Sequence, residues 1–264
     1  MSSNSSIHIA YGSYLSQFGV LRMPILAESC PVIITIHGGF WQSKFGLEEN
    51  DPICEDLTRR GYATWNIEYR RVGENGGGWP GTFNDVIDAV NHLTHLKERF
   101  QLDLSRVVIL GHSAGGHLAL WLASQINKDQ TDDFANPLLI PIHSVISLAG
   151  VLDLRRMWEI HDEKGLNSPV ASFVGGTPLE VSNRYRLASP IELLPLNVNQ
   201  LLIHGELDRH VPVELSIEYC RKTIQQGDKV RLIVLPETDH FMIIDPSSNA
   251  WKTVFDALKN IVGV

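Results

Sequence analysis

Short apolar runs rich in β-branched residues alternate along the chain with longer stretches in which apolar residues recur every three or four positions. The short runs predict strands, namely Pro31 to Ile36, Tyr62 to Glu68, Arg106 to Leu110, Ser144 to Leu148, Gln200 to Ile203 and Val230 to Leu235. The longer stretches predict amphipathic helices, for example across 83–93 and 251–262. Because strands that alternate with helices form βαβ units, the pattern predicts an α/β protein with a mostly parallel central sheet flanked by helices.

The starts of two helices can be predicted more closely. Pro212 suits the first turn of a helix that runs to about Gln226, because a proline is tolerated there. Asp245 and Pro246 offer a capping side chain and a first-turn proline. The terminal helix is therefore expected to begin at this pair.

Two segments depart from the alternation. Val72 to Gly81 contains three consecutive glycines, which lose too much chain entropy to lie within a helix, so it is predicted to be a loop. The stretch 152–195 is long and holds only short helical patterns, which is typical of binding loops or a small cap. We expect residues 1–264 to form a single domain in which 152–195 is a cap-like insertion.

Composition and charge limit the classes of protein to which this chain can belong. The chain has 264 residues, of which 44% are hydrophobic, and this is enough for a substantial core in one domain. Its net charge of −8, without any basic run, argues against nucleic acid or an anionic membrane surface as a partner. Positions 1–6 are polar, and we expect neither a secretory signal nor a membrane anchor.

The cysteines and histidines do not indicate a metal site. Cys30, Cys54 and Cys220 are an odd, widely spaced set without a C-x-x-C motif, so reduced thiols and a cytoplasmic location are expected. His92 and His95 lie three positions apart, but no third ligand follows in a suitable context. We expect no metal and no organic cofactor. The sequence leaves the oligomeric state open, a homodimer included.

The most specific chemical signal is the pentapeptide Gly111-His112-Ser113-Ala114-Gly115. It follows the apolar run 107–110 and precedes a helix-like stretch at 116–122, which is the order of a nucleophile elbow. A side chain in place of either glycine would collide with the neighbouring strand or helix. The turn would expose the hydroxyl of Ser113 above the amino end of a helix, where developing negative charge is favoured.

A serine nucleophile needs a base and a carboxylate that orients the base. Asp208 follows the predicted strand at 200–203, and His240 follows the strand at 230–235, so both fall at carboxyl ends of strands, where reacting groups collect. We predict Asp208 as the acid and His240 as the base. Asp208 as a mere cap of the helix near Pro212 is an alternative, and Glu206 and Asp239 are weaker candidate acids.

The strand at 31–36 leads into His37-Gly38-Gly39-Phe40-Trp41. Backbone N–H groups after this strand can face a carbonyl oxygen, and with the N–H of Ala114 they would form an oxyanion hole. Gly39 and Phe40 are the preferred donors, and Gly38 is an alternative. Trp41 is a candidate for the substrate pocket, with core packing as its alternative. We expect His37 to brace the loop, and His112 and His117 to pack or bond locally beside the elbow.

Taken together, these motifs resemble the α/β-hydrolase superfamily and its lipase and esterase branch. The H-G-G-x-W form, with Glu68 to Arg71 and Trp79 to Asp85, is similar to the kynurenine formamidase and small-esterase group. The resemblance implies a serine hydrolase acting on small carboxylic esters or N-formyl aromatic amides through an acyl-enzyme. By their positions in these motifs, the resemblance implies Ser113 as the nucleophile, Asp208 as the acid and His240 as the base.

One departure and two alternatives accompany this resemblance. The portion before Pro31 is short, so we expect one strand around Val20 to Leu26 instead of the full opening hairpin of the superfamily. An exopeptidase of the prolyl oligopeptidase type shares the elbow but usually has a large propeller in front. A ligand-binding protein on a hydrolase scaffold is the other alternative, although such proteins commonly lack the serine or the histidine.

Overall fold

The computed structural model describes residues 6–25, 30–126 and 134–262. Its strands form one eight-stranded sheet in the spatial order β1-β2-β4-β3-β5-β6-β7-β8. The strands are β1 (Ser6–Ala10), β2 (Phe18–Arg22), β3 (Cys30–Ile36), β4 (Ala63–Ile67), β5 (Leu102–His112), β6 (Ser144–Leu148), β7 (Asn199–Gly205) and β8 (Val230–Leu235). All neighbours from β4 to β8 pair in parallel, which confirms the predicted α/β class.

Helices cover both faces of the sheet. They are α1 (Asp51–Arg59), α2 (Gly81–Asn91), α3 (Leu93–Phe100), α4 (Ala114–Ala123), α5 (Leu154–Glu163), α6 (Pro169–Val174), α7 (Ser182–Ala188), α8 (Val213–Gln225) and α9 (Asn249–Val262). Apolar residues of α1 and α9 pack on one face, and those of α2, α3, α4 and α8 pack on the other. Successive residues of β3 point to opposite faces, so Ile33 joins the first of these layers and Ile34 the second.

The chain opens with a hairpin, and the prediction of a single early strand is wrong. β1 pairs antiparallel with β2, from Ser6 opposite Arg22 to Ala10 opposite Phe18. The predicted strand at 20–26 overlaps β2 but β2 ends at Arg22, and Leu26 lies outside the described residues. β1 offers only two large apolar residues, because it is an edge strand whose side chains are exposed or half-buried.

The two predicted helix starts have different outcomes. Pro212 directly precedes α8, as predicted. Asp245 and Pro246 do not begin the terminal helix, since Asp245 accepts the N–H of Ser247 at 2.9 Å in a turn. The hydroxyl of Ser248 instead accepts the N–H of Trp251 at 2.9 Å, which is the bond of a helix cap, and α9 starts at Asn249.

The segment between β6 and β7 consists of the short helices α5, α6 and α7 and a 3-10 turn at Pro190–Glu192. It packs against the helix that follows the elbow, because the carbonyl of Ala188 lies 2.9 Å from Nε2 of His117. Trp121 also donates its indole N–H to the carbonyl of Leu187 at 3.0 Å. The segment is therefore joined to α4 by contacts at two successive turns of that helix.

Candidate active site

Ser113 occupies a strained turn between β5 and α4. Its φ of 54° and ψ of −117° place a non-glycine residue in the left-handed half of backbone space, which persists only where the surroundings enforce it. A Cβ at Gly111 would lie 2.0 Å from the carbonyl oxygen of Gly115, and a Cβ at Gly115 would lie 2.0 Å from that of Ile36. The steric reason predicted for the two glycines is therefore confirmed.

Asp208 and His240 are in direct contact. Nδ1 of His240 lies 2.5 Å from Oδ2 of Asp208. The other carboxylate oxygen accepts the backbone N–H groups of His210 and Val211 at 2.8 and 2.9 Å. Asp208 thus fixes its own loop and faces the imidazole at the same time. No side chain in the described part of the chain caps α8, so the alternative of Asp208 as a mere helix cap is wrong. Asp239, a weaker candidate acid, bonds local backbone N–H groups instead.

The protonation states of this pair suit a base held by a carboxylate. Burial by itself raises the pKa of the Asp208 carboxyl, but hydrogen bonds from His204 and His240 outweigh it and hold the pKa well below its ordinary value. Burial lowers the pKa of the His240 imidazole to about 4, because the hydrogen bond to Asp208 offsets only part of the desolvation. At neutral pH, Nδ1 therefore donates to an ionised carboxylate, and Nε2 carries a lone pair.

Ser113 and His240 line one cleft of about 440 Å³. Both residues are nearly buried, with 2% and 4% of their surface exposed. The aromatic part of the lining is Phe40, Phe45 and Phe241, and the charged part is Lys44, Glu48 and Glu49. The structure therefore brings the predicted nucleophile and base to a common space that a small molecule can enter.

The loop after β3 has an unusual backbone. Gly39, Phe40 and Trp41 have φ values of 89°, 48° and 57°, so three successive residues lie in the left-handed region. Among the described residues, the N–H groups of Gly39 and Phe40 face no hydrogen-bond acceptor. The N–H of Gly38 differs, since it is donated to Oε2 of Glu49 at 2.5 Å. The alternative assignment of Gly38 as an oxyanion donor is therefore wrong.

Trp41 does not line the cleft, so its predicted place in the substrate pocket is wrong. It is fully buried and stacks on Phe173 of α6, with ring centroids 4.2 Å apart and planes inclined by 6°. The left-handed backbone at 40 and 41 turns Trp41 into the core, while Phe40 lines the cleft. The core packing that was its alternative is what the structure has.

Two histidine–carboxylate contacts surround the loop, one buried and one partly buried. Nε2 of His37 lies 2.7 Å from Oε1 of Glu68, and its Nδ1 lies 2.9 Å from the carbonyl oxygen of Gly38, so it braces the loop as predicted. Nδ1 of His112 lies 3.1 Å from Oε1 of Glu49. Sequence reasoning missed Glu49, because no motif includes it and its partner is 63 positions away.

The described part of the chain lacks two other features. In residues 6–25, 30–126 and 134–262, no group of three or more histidine, cysteine, aspartate or glutamate side chains is arranged to hold a metal ion. Within the same ranges, no helix combines the length and the apolar character that a membrane crossing requires.

Comparison with known proteins shows which family and which relatives the chain resembles. The profile of the BD-FAE family matches residues 22–222. The chain is 25% identical over 254 residues to a probable carboxylic ester hydrolase, LipM, of Mycobacterium tuberculosis, which covers 93% of this chain and 58% of that protein. It thus spans less than two thirds of the length of that relative. It is also 25% identical over 216 residues to the kynurenine formamidase avaC of Aspergillus versicolor, covering 71% of this chain and 74% of that protein.

A solved structure supports the same fold. The truncated form of a carbohydrate esterase from gut microbiota superposes with a TM-score of 0.83 at 21% identity, covering 100% of this chain and 99% of that one. At this identity the likeness concerns the fold alone. With the strand order of the sheet, it confirms the predicted α/β-hydrolase fold.

Proposed function

The chain belongs to the BD-FAE family, in the esterase branch of the α/β-hydrolases, and we propose that it is a serine hydrolase that cleaves carboxylic esters. The observation that carries this proposal is the 2.5 Å contact between Asp208 and His240 beside a cleft that Ser113 also lines. An ionised carboxylate, a neutral imidazole and an elbow serine are the parts that acyl transfer requires.

In the proposed mechanism, Nε2 of His240 takes the proton of the Ser113 hydroxyl while Oγ attacks the substrate carbonyl carbon. The N–H groups of Gly39, Phe40 and Ala114 donate to the resulting oxyanion. The charge of Asp208 stabilises the imidazolium, which then gives its proton to the leaving oxygen or nitrogen as that bond breaks. Water, deprotonated by the same imidazole, attacks the acyl-enzyme and releases the acid with regeneration of Ser113.

The cleft favours a small substrate with an aromatic part. Phe40, Phe45 and Phe241 offer ring faces and edges to a flat group beside the nucleophile. Esters with an aromatic acyl or alcohol part fit this lining, and so do N-formyl aromatic amides. The similarity to a kynurenine formamidase supports the second class.

The mechanism is tested by Ser113→Ala and by an organophosphonate label. Wild-type protein is expected to hydrolyse p-nitrophenyl acetate and to take up the label at Ser113, as mapped by mass spectrometry. Ser113→Ala should lose hydrolysis by about 10⁴-fold or more and take up no label there. Ser13→Ala, an exposed serine in the loop after β1, is the matched control and should behave as wild type. Unchanged turnover in Ser113→Ala would refute the mechanism.

The substrate class is tested separately, by comparing kcat/KM for p-nitrophenyl acetate, N-formylkynurenine and an aminoacyl anilide. We expect turnover of the first two and little of the third. Preference for the anilide would favour the exopeptidase alternative. Turnover of the ester alone would restrict the function to a carboxylesterase.

We also propose the cytoplasm as the compartment. Cys30, Cys54 and Cys220 are free thiols, and oxidising compartments favour disulfides. Cell fractionation with detection of the untagged protein tests this, and recovery outside the cytoplasmic fraction would contradict it.

A further inference from the structure

Glu49 and His112 form a second carboxylate–imidazole pair next to the proposed triad. Nδ1 of His112 lies 3.1 Å from Oε1 of Glu49, and Nε2 lies 2.9 Å from the backbone oxygen of His240. The other carboxylate oxygen of Glu49 accepts the N–H of Gly38 at 2.5 Å. The His112 side chain is fully buried and directly precedes Ser113. The pair thus connects the loop after β3, the turn that carries Ser113 and the loop that carries His240.

The hydrogen bonds fix how many protons the pair holds. The backbone oxygen of His240 can only accept, so Nε2 of His112 must carry a proton. A neutral imidazole has then no proton left for Nδ1. The contact with Glu49 therefore needs a second proton, on Nδ1 or on Oε1. The intact network holds one proton more than a neutral imidazole beside an ionised carboxylate.

We propose that the Glu49–His112 pair positions the loop after β3 and the His240 loop around Ser113 only while it holds this second proton on Nδ1 of His112, and that its loss sets the alkaline limit of activity. This inference rests on the proposed function. After deprotonation, a lone pair on Nδ1 would face the carboxylate, and this contact becomes repulsive. Either the Gly38 N–H or the His240 carbonyl then loses its fixed partner.

The charged and titratable groups around the pair support its ionised form at neutral pH. The His240 ring lies 4.5 Å from the His112 ring between centroids, with Asp208 behind it, and His37 acts on Glu49 from the loop after β3. Burial opposes charge on both members. The imidazolium of His112 nevertheless lowers the pKa of Glu49 to about 2, and Glu49 raises the pKa of His112 above its ordinary 6.5. His112 is therefore expected to lose its proton only as the pH rises above that value.

Glu49→Gln separates the hydrogen bonds from the charge. The amide oxygen can accept the Gly38 N–H, and the amide nitrogen can donate to an unprotonated Nδ1 of His112. All three bonds survive with a neutral ring. At neutral pH we expect a smaller loss of kcat/KM than in Glu49→Ala, and the alkaline fall in kcat/KM that wild type shows should disappear.

Glu49→Ala removes the bonds as well. Its kcat should fall by about tenfold or more while KM changes little, because positioning of the oxyanion donors matters most in the transition state. Glu55→Gln, the same change at an exposed site on α1, is the control and should keep both the activity and the alkaline limb of wild type.

The proton count can be read without activity by ¹⁵N NMR of histidine-labelled protein, with the His112 signals assigned from their absence in His112→Gln. At pH 7 we expect both ring nitrogens of His112 protonated in wild type and only Nε2 protonated in Glu49→Gln. An alkaline limb that persists in Glu49→Gln, or a singly protonated His112 in wild type, would overturn the inference. Failure of the proposed function is distinguishable, because Ser113→Ala would then retain activity whatever the NMR shows.

Discussion

Trp41 and Phe173 lie face to face, 4.2 Å apart between ring centroids, and this stack joins the loop after β3 to helix α6. The indole also meets the His117 ring edge-on at 5.0 Å. Because Phe40 and Trp41 hold a backbone conformation that non-glycine residues rarely adopt, the loop needs such support from outside. The segment between β6 and β7 therefore stabilises the loop that is proposed to hold the oxyanion.

Phe173→Ala should weaken both the fold and the loop. Removing a fully buried phenylalanine costs about 3–5 kcal/mol of unfolding free energy, from lost transfer energy and the cavity. The loosened Trp41 should also lower kcat, since the loop that bears the oxyanion donors would be less ordered. Urea unfolding and steady-state kinetics check both expectations. Phe173→Leu, which fills more of the space, should lose less of each; equal losses would contradict the expectation that lost packing volume determines the effect.

Asp208→Asn should lower kcat by about 10²- to 10⁴-fold. An amide at this position no longer stabilises an imidazolium, and it can offer an N–H to Nδ1, which favours the wrong tautomer. Asp239→Asn tests the alternative acid, which directly precedes His240 in the sequence. It should change kcat little, because Asp239 bonds the backbone N–H groups of Phe241 and Met242 and not the His240 ring. A larger loss in Asp239→Asn than in Asp208→Asn would reverse the assignment.

The parts of the site that lie in short motifs could be predicted from the sequence. Ser113 and its glycines are fixed by local sterics, and Asp208 and His240 follow strands whose carboxyl ends must share one edge of a parallel sheet. The strands from β3 to β7 were predictable for a related reason, because buried parallel strands are nearly continuous apolar runs.

What escaped prediction depends on contacts between distant segments. Glu49 lies in a 3-10 turn and has no motif around it, and its role appears only when that turn packs against the end of β5. The same contact occupies the Gly38 N–H. The burial of Trp41 follows from a left-handed backbone that a tryptophan does not suggest.

The acid limit of activity should be set by His240. The imidazole must be neutral to accept the Ser113 proton, and burial lowers its pKa to about 4. We expect kcat/KM to stay level from neutral pH to about pH 5 and then to fall with a midpoint near the pKa. An acid limb centred near the ordinary histidine value of about 6.5 would contradict this.

The lowered pKa of His240 also makes the stability of the fold depend on pH. An unfolded imidazole titrates near its ordinary pKa of about 6.5, so between that value and the folded pKa of about 4 the unfolded chain binds more protons. The contribution of His240 to stability is therefore complete above about pH 6.5 and declines as the pH falls toward 4. Replacing His240 with Gln should remove this part of the dependence in urea unfolding between these pH values.

The aromatic lining should determine preference among esters. Phe45 and Phe241 both line the cleft. They are about half exposed, at 46% and 52%, so neither side chain is part of the buried core. Phe45→Ala and Phe241→Ala should each reduce kcat/KM for a benzoate ester about 3- to 10-fold more than for the matching acetate, since an apolar contact of this size discriminates by that order. Leu207→Ala removes a similarly exposed apolar side chain, at 54%, that does not line the cleft, and it should leave the ratio unchanged. An equal fall for both esters in the phenylalanine variants would mean that these rings order the site and do not select the substrate.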